Sequence, residues 1–348
     1  MRPERLRRTF DLLTAYDAFH GIEVSAPEPC PEEALVQIHS PQFVLAVKQI
    51  AEDPHHPHAH RFGFGSGDNP IFPGMYNASR LYTGASLQAA QAVVQGADIA
   101  MSISGGLHHA HFDCAAGFCI FNDCAVALRE LRRRYHRVAY IDIDVHHGDG
   151  VQELFYSDPS VLTVSIHQSG RTLFPGTGQP EETGTGGGVG FSLNLPVWPG
   201  TSDAVWLHLF EAAAMPVLQA FAPGAVVLQL GTDAHFLDPL ASVNLTAQGW
   251  LQAVRLVQSL QVPIVALGGG GYCPTTVPRM WAAAFGVLFN VPLNEETPPA
   301  FKDHNSIPAL FDGTPPNVSP SQQSVCEQFS QAVLQEVKRS VFPIHGLS

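Results

Sequence analysis

Short apolar runs rich in β-branched residues alternate along the chain with longer stretches whose apolar positions recur at helical spacing. The runs at 98–104, 138–144, 161–167, 225–231 and 262–268 read as strands, and the stretches at about 79–95, 122–135, 203–222 and 246–260 read as helices. Strands that are apolar throughout, separated by helices, predict βαβ units and a mostly parallel sheet covered on both faces. Glycine and proline cluster at 61–74, 175–190 and 268–274, which predicts long loops, the usual carriers of function on such a sheet. Beyond about 296 the pattern turns irregular, with Pro298-Pro299 and Pro315-Pro316, until a last helix at about 319–339. The expectation is one α/β domain over 1–348, with its core at about 1–295 and a C-terminal extension at 296–348.

Composition narrows the function. Of 348 residues 45% are hydrophobic and 14% charged, which suits a large buried core. The net charge of −13 disfavours nucleic acid and anionic membranes as partners and suits a cationic substrate. Six cysteines without a C-x-x-C spacing read as reduced thiols, and no apolar leader follows the charged start. A cytoplasmic protein is expected.

The densest chemical signal is the run Tyr140-Ile141-Asp142-Ile143-Asp144-Val145-His146-His147-Gly148-Asp149-Gly150, an apolar strand ending in ionisable groups. Residues two apart on an extended chain share a face, so Asp142, Asp144 and His146 point together, as metal ligands do at a strand's carboxyl end. The plainer reading has one aspartate capping the next helix and the histidines packed. Two other strands end in Gln229-Leu230-Gly231-Thr232-Asp233 and Gly268-Gly269-Gly270-Gly271-Tyr272, and ligands bind outside the carboxyl ends of parallel strands. Asp233 is therefore a candidate third ligand, and two aspartates with one histidine leave a zinc position open for water and substrate. His108 and His109 follow the turn Gly105-Gly106 and suit proton transfer, with Asp142 and Asp149 as candidate partners. The histidines at 55–60 read as a solvated loop, His167 as a neighbour of the site, and His235 as undecided between the two.

With these pieces in place, the sequence resembles the histone deacetylase family of the arginase-deacetylase superfamily, and within it the class I-like bacterial acetoin-utilisation deacetylases. The matching stretches are Gly105 to His109, Gly117 to Asp123, Asp142 to Gly150, Phe174 to Gly178, Gln229 to Asp238 and Gly268 to Tyr272. The resemblance implies hydrolysis of acetyl-lysine, in a protein or a small acetylated amine. It implies that Asp144, His146 and Asp233 bind Zn2+, with Fe2+ as the alternative. His109 backed by Asp149 is implied as general base and acid, His108 with Asp142 as the charge-stabilising pair, and Tyr272 as donor to the substrate carbonyl. Gly117, Phe118, Phe174 and Leu240 would line a tunnel with Asp68 at its rim. A structural K+ near Asp142, Asp144, His146, Ser165 and Ile166 is also implied; bacterial relatives suggest acetyl-coenzyme A synthetase as a protein target, with a nucleoid protein or a small acetylated amine left open.

Three rival readings are weighed. An acetylpolyamine amidohydrolase shares the chemistry and differs in substrate. An arginase-like ureohydrolase with two metals needs a further carboxylate where His235 stands. A non-catalytic binding module has no use for His108, His109 and Tyr272 together. The family begins with a strand ending in His-Pro-x-x-Arg, whereas here the start is Met1-Arg2-Pro3-Glu4-Arg5. The expectation is an unpaired sheet edge and a loosened floor around Arg5, Leu107 and Cys119.

Overall fold

A computed structural model describes residues 2–65, 67–299, 301 and 307–348. Six strands form one parallel sheet: β1 (Ile99–Ser102), β2 (Val138–Asp142), β3 (Val161–Gln168), β4 (Ser192–Val197), β5 (Ala225–Gln229) and β6 (Ile264–Leu267), in the order β1-β6-β5-β2-β3-β4. The alternation of side chains across the pleat divides the core in two. Ala139, Ile141, Ile264 and Ala266 pack with Trp206, Trp250 and Trp281 on one face, while Val138, Tyr140, Val265 and Leu267 pack with Phe43, Ala90 and Leu128 on the other. Burial on both faces is why these strands read as continuous apolar runs.

The helices are α1 (Glu4–Ala15), α2 (Glu32–Leu35), α3 (Pro41–Glu52), α4 (Met75–Gln95), α5 (Asp123–Leu131), α6 (Asp149–Phe155), α7 (Asp203–Leu209), α8 (Met215–Phe221), α9 (Ala247–Gln258), α10 (Thr276–Leu288) and α11 (Pro320–Ser340). Side chains of Ser40, Asn122, Thr246 and Ser319 cap α3, α5, α9 and α11 by accepting an amide N–H of the first turn. The predicted helix at 203–222 is interrupted by a π turn, Phe210–Ala214. Pro216 offers no N–H to the Ala212 carbonyl, so the regular hydrogen-bond ladder cannot run through this point. By length and composition the span Asp203–Phe221 is apolar enough to cross a membrane, and here it packs beside α9 and α11.

Four strands are shorter than their apolar runs suggest, because the chain leaves the sheet where glycine and ionisable residues begin. β2 ends at Asp142 and β5 at Gln229, so Asp144, His146 and Asp233 sit in loops beyond the strand ends. The strand β4 was not anticipated. β1 is the outer strand on its side, and all four of its residues are half-buried. Beyond residue 296 the chain adds to the core: Phe301, Ile307 and Leu310 join Leu12, Leu13 and Phe285 in a third apolar cluster, and α11 packs against β4 and α7.

Candidate active site

The loops after β1, β2, β5 and β6 meet at one end of the sheet. The β1 loop carries His108 and His109, and the start of α5 holds it in place. Buried Asp123 accepts from the amides of Gly106 (2.9 Å) and Leu107 (2.8 Å) and from the Ser86 hydroxyl (2.6 Å). Asn122 Nδ2 donates to the carbonyls of His108 (3.1 Å) and Ala110 (2.9 Å).

Each histidine of the pair has its own carboxylate. His108 Nδ1 donates to Asp142 Oδ2 at 2.7 Å, an oxygen that also accepts from the Tyr140 hydroxyl at 2.7 Å. His109 Nδ1 donates to Asp149 Oδ1 at 2.6 Å, and the two Nε2 atoms lie 3.1 Å apart. Burial opposes charge on His108, but Asp142 and Asp144 outweigh it and push its pKa up to about 9. Burial and then the neighbouring His108 push His109 down to about 4. The two histidines are thus pushed in opposite directions, His108 toward its cation and His109 toward a neutral imidazole that keeps its Nδ1 proton on Asp149.

Asp144, His146 and Asp233 form a buried trio whose ligating atoms all lie within 4.8 Å of one another. His146 Nδ1 donates to Asp144 Oδ1 (3.1 Å) and Asp233 Oδ2 (3.2 Å). Asp144 Oδ2 accepts from Gln229 Nε2 (2.8 Å) and the Gly270 amide (2.7 Å), and Asp233 Oδ1 accepts from the Val145 amide (2.9 Å). Only glycine fits at 270, where a Cβ would lie 2.0 Å from Asp233 Oδ2. Trp250 and Trp281 donate to the carbonyls of Gly231 and Leu230, both at 2.8 Å, and so fix the loop that carries Asp233. Burial and then Asp144 raise the pKa of Asp233, the mark of surplus negative charge in a closed space. Such a donor set fits a divalent cation.

Asp142 belongs with His108 and not with the trio, so the shared-face expectation for Asp142, Asp144 and His146 holds in part. The strand stops at Asp142, and the bend beyond it carries Asp144 and His146 toward Asp233. Ser165 lies beside Asp142 in the β2–β3 register, with Ile166 next to it. His167 donates to the Gly178 carbonyl (3.0 Å) and pairs with Ser165 Oγ (2.9 Å), clear of the trio.

Tyr272 lies across the trio from the pair, with its ring 6.4 Å from that of His146 and 6.0 Å from that of Phe118. Its amide donates to Asp238 Oδ2 at 2.7 Å. Burial and then Asp233 and Asp144 hold its hydroxyl well above the usual phenol range, so it remains a hydrogen-bond donor. Phe174 meets the His109 ring edge-on at 5.0 Å. Gly117 and Phe118 both have positive φ (50° and 68°), and Gly117 lies directly against the His109 ring. A narrow cavity runs between His109, Gly117, Cys119, His146 and Tyr272, and Phe174 and Leu240 are exposed beside it. Asp68 is exposed on a turn.

At the base, Arg5 Nη1 donates to the carbonyls of Gly269 (2.7 Å) and Gly271 (3.2 Å), with its guanidinium 5.0 Å from the Trp281 ring centroid. These contacts tie α1 to the glycine run that carries Tyr272. His235 stands apart from the trio: it accepts the Leu237 amide at Nδ1 (3.1 Å) and donates from Nε2 to Asp312 (2.9 Å), which also takes Arg279 Nη2 (2.5 Å). Sequence reading did not single out Gln229, Asp123, Tyr140, Asp238 or Asp312. Tyr140 carried a signal, standing two residues before Asp142 on the same strand face.

The histone deacetylase domain profile matches residues 1–288, and the chain belongs to the histone deacetylase family. It is accordingly a deacetylase-type hydrolase of a metal-dependent family that acts on acetylated substrates. It is 40% identical over 310 residues to acetoin utilization protein AcuC of Bacillus subtilis (strain 168), covering 85% of this chain and 79% of that protein. It is 38% identical over 302 residues to histone deacetylase 1 of Oryza sativa subsp. japonica, covering 86% of this chain and 58% of that longer protein. The crystal structure of a histone deacetylase homologue from Aquifex aeolicus superposes with a TM-score of 0.86 at 28% identity, covering 95% of this chain and 92% of that one.

Proposed function

We propose that the protein is a zinc-dependent deacetylase that cleaves the amide of acetyl-lysine to acetate and free amine, with 1–348 acting as one domain. The observation that carries the reading is the buried Asp144, His146, Asp233 trio facing a neutral His109 and the Tyr272 hydroxyl across one narrow cavity. The trio would hold the metal, which when bound supplies Lewis-acid polarisation of the amide carbonyl and the attacking water. His109 Nε2 takes the water proton while Asp149 steadies the imidazolium through Nδ1, and the same nitrogen then returns a proton to the leaving amine. Tyr272 donates to the carbonyl oxygen as charge collects there. His108, drawn toward its charged form by Asp142, adds favourable field at the same place. Phe118, Phe174, Gly117 and Leu240 suit the aliphatic stem of the substrate, and Asp68 at the rim suits its backbone. A K+ ion beside Asp142, Asp144, His146, Ser165 and Ile166 belongs to the same proposal, supported by the direct β2–β3 pairing of Asp142 with Ser165. One catalytic metal is favoured over two, because His235 is engaged with Asp312 and adds no ligand.

The test is turnover of zinc-loaded protein on acetyl-lysine peptides and on acetylpolyamines. Faster hydrolysis of the peptides is expected; a clear preference for acetylpolyamines assigns the enzyme to that substrate, and no hydrolysis of either defeats the proposal.

A further inference from the structure

His111 lies one turn of loop beyond His109 and is not used by the reaction as described. Its main chain is fixed: its amide donates to the Cys114 carbonyl (2.9 Å) and its carbonyl accepts from His39 Nδ1 (2.8 Å). His39 is in turn held by the Asn122 amide, which donates to its Nε2 at 2.9 Å. The ring of His111 reaches the two carboxylates that α6 presents four residues apart. Nδ1 is hydrogen-bonded to Glu153, and Nε2 is 3.4 Å from Asp149 Oδ2. Asp149 Oδ1 is the oxygen that accepts from His109.

We propose that His111 is a positioning residue for catalysis, a cation clamped between Glu153 and Asp149 that fixes the far oxygen of Asp149 so that the near oxygen keeps His109 in one tautomer and orientation. The inference rests on His109 being the proton-transfer group. A carboxylate held at one oxygen can still rotate about its Cβ–Cγ bond, and the second contact removes that freedom. Charge supports the geometry. Hydrogen bonds to Asp149 and then Glu153 push His111 up to about 10. Burial disfavours the Asp149 carboxylate, but hydrogen bonds from His109 and His111 outweigh it and hold its pKa well below the usual range. The groups around His111 are Asp149 and Glu153 from α6, His109, Asp113 and Cys114 from its own loop, and a neutral His39 from the segment before α3. The His111 side chain is 25% exposed, so solvent screens part of this pairing, and turnover is the readout that reports its effect on His109.

The experiment compares zinc-loaded wild type, His111→Gln and His111→Lys on an acetyl-lysine peptide. His111→Gln should lower kcat on the order of tenfold with KM and metal content unchanged, and His111→Lys, which restores a cation, should recover most of that loss. In metal-free protein, ¹⁵N-imidazole spectra should show a single Nδ1–H tautomer of His109 in wild type and a mixture in His111→Gln. Wild-type kcat in His111→Gln, or equal loss in both variants, overturns the proposal. Should His111→Gln fail to fold, Glu153→Gln on the exposed side decides: a lower kcat at unchanged KM supports the clamp, and wild-type kcat overturns it. His109→Ala separates the two layers of argument, since an active His109→Ala defeats the role of His109 itself, whereas an inactive one beside a wild-type His111→Gln defeats only the clamp.

Discussion

Filling the trio with a metal should expel protons. In the metal-free protein burial disfavours charge on His146, but hydrogen bonds to Asp144 and Asp233 outweigh it and push its pKa up to about 10. At pH 7 His146 therefore carries a proton that a metal has to displace. Burial and Asp144 raise Asp233 as well, while Asp144 is held low. Metal uptake at pH 7 should therefore release at least the His146 proton. By linkage the affinity should rise about tenfold per pH unit for each proton released, about 1.4 kcal/mol, with the slope vanishing above the pKa of His146. Stability of the metal-free protein runs the opposite way. A histidine whose folded pKa lies above its unfolded value contributes stability that is complete below about 6.5 and is lost as pH climbs toward 10. Calorimetric titration of zinc into metal-free protein, in buffers of different ionisation enthalpy, counts the protons directly. Heats that do not depend on the buffer would refute the argument, because they mean that His146 is already neutral or is not a ligand.

Three further outcomes are expected. Tyr272→Phe should keep metal content and KM while kcat falls by about 10² to 10³, and an unchanged kcat in steady-state assays removes the hydroxyl from the reaction. Gly117→Ala places a Cβ 2.4 Å from His109 Cδ2 at a φ of 50°, so kcat should drop on the order of 10²-fold through displacement of the imidazole, and a wild-type rate shows that the loop yields instead. Asp123→Ala strips the buried amides of Gly106 and Leu107 of their acceptor and should cost about 2–4 kcal/mol in urea unfolding, a loss absent if water replaces the carboxylate.

Local patterning carries the sheet and the trio but not the braces behind them. β2, β3, β5 and β6 announce themselves as unbroken apolar runs, whereas β4 alternates Ser192, Asn194 and Pro196 with Leu193, Leu195 and Val197 after a glycine-rich loop. Pro196 is tolerated because β4 is an edge strand, so a missing N–H breaks no central ladder. In α10, Pro278 falls in the first turn, where its amide would have had no helical partner, although in the sequence it reads as a breaker. The trio was legible because chemistry at the carboxyl ends of parallel strands converges by topology alone. The contacts of Asp123 with the Gly106 amide and of His111 with Glu153 join groups whose separation no period reports.

Asp312 gives the protein a boundary beyond the end of its domain match. The family match ends at 288, yet the anion that holds His235, two residues past Asp233, comes from residue 312, and the amide of Ala247 donates to the same carboxylate at 2.7 Å. Trimming the chain to its matched region for crystallography, or fusing a reporter at that point, would take away a counter-charge for buried Arg279 and open the loop bearing Asp233 from behind. A preparation made that way would hold every residue of the trio and both histidines of the pair, and its weakness in binding metal would be mistaken for a property of the site.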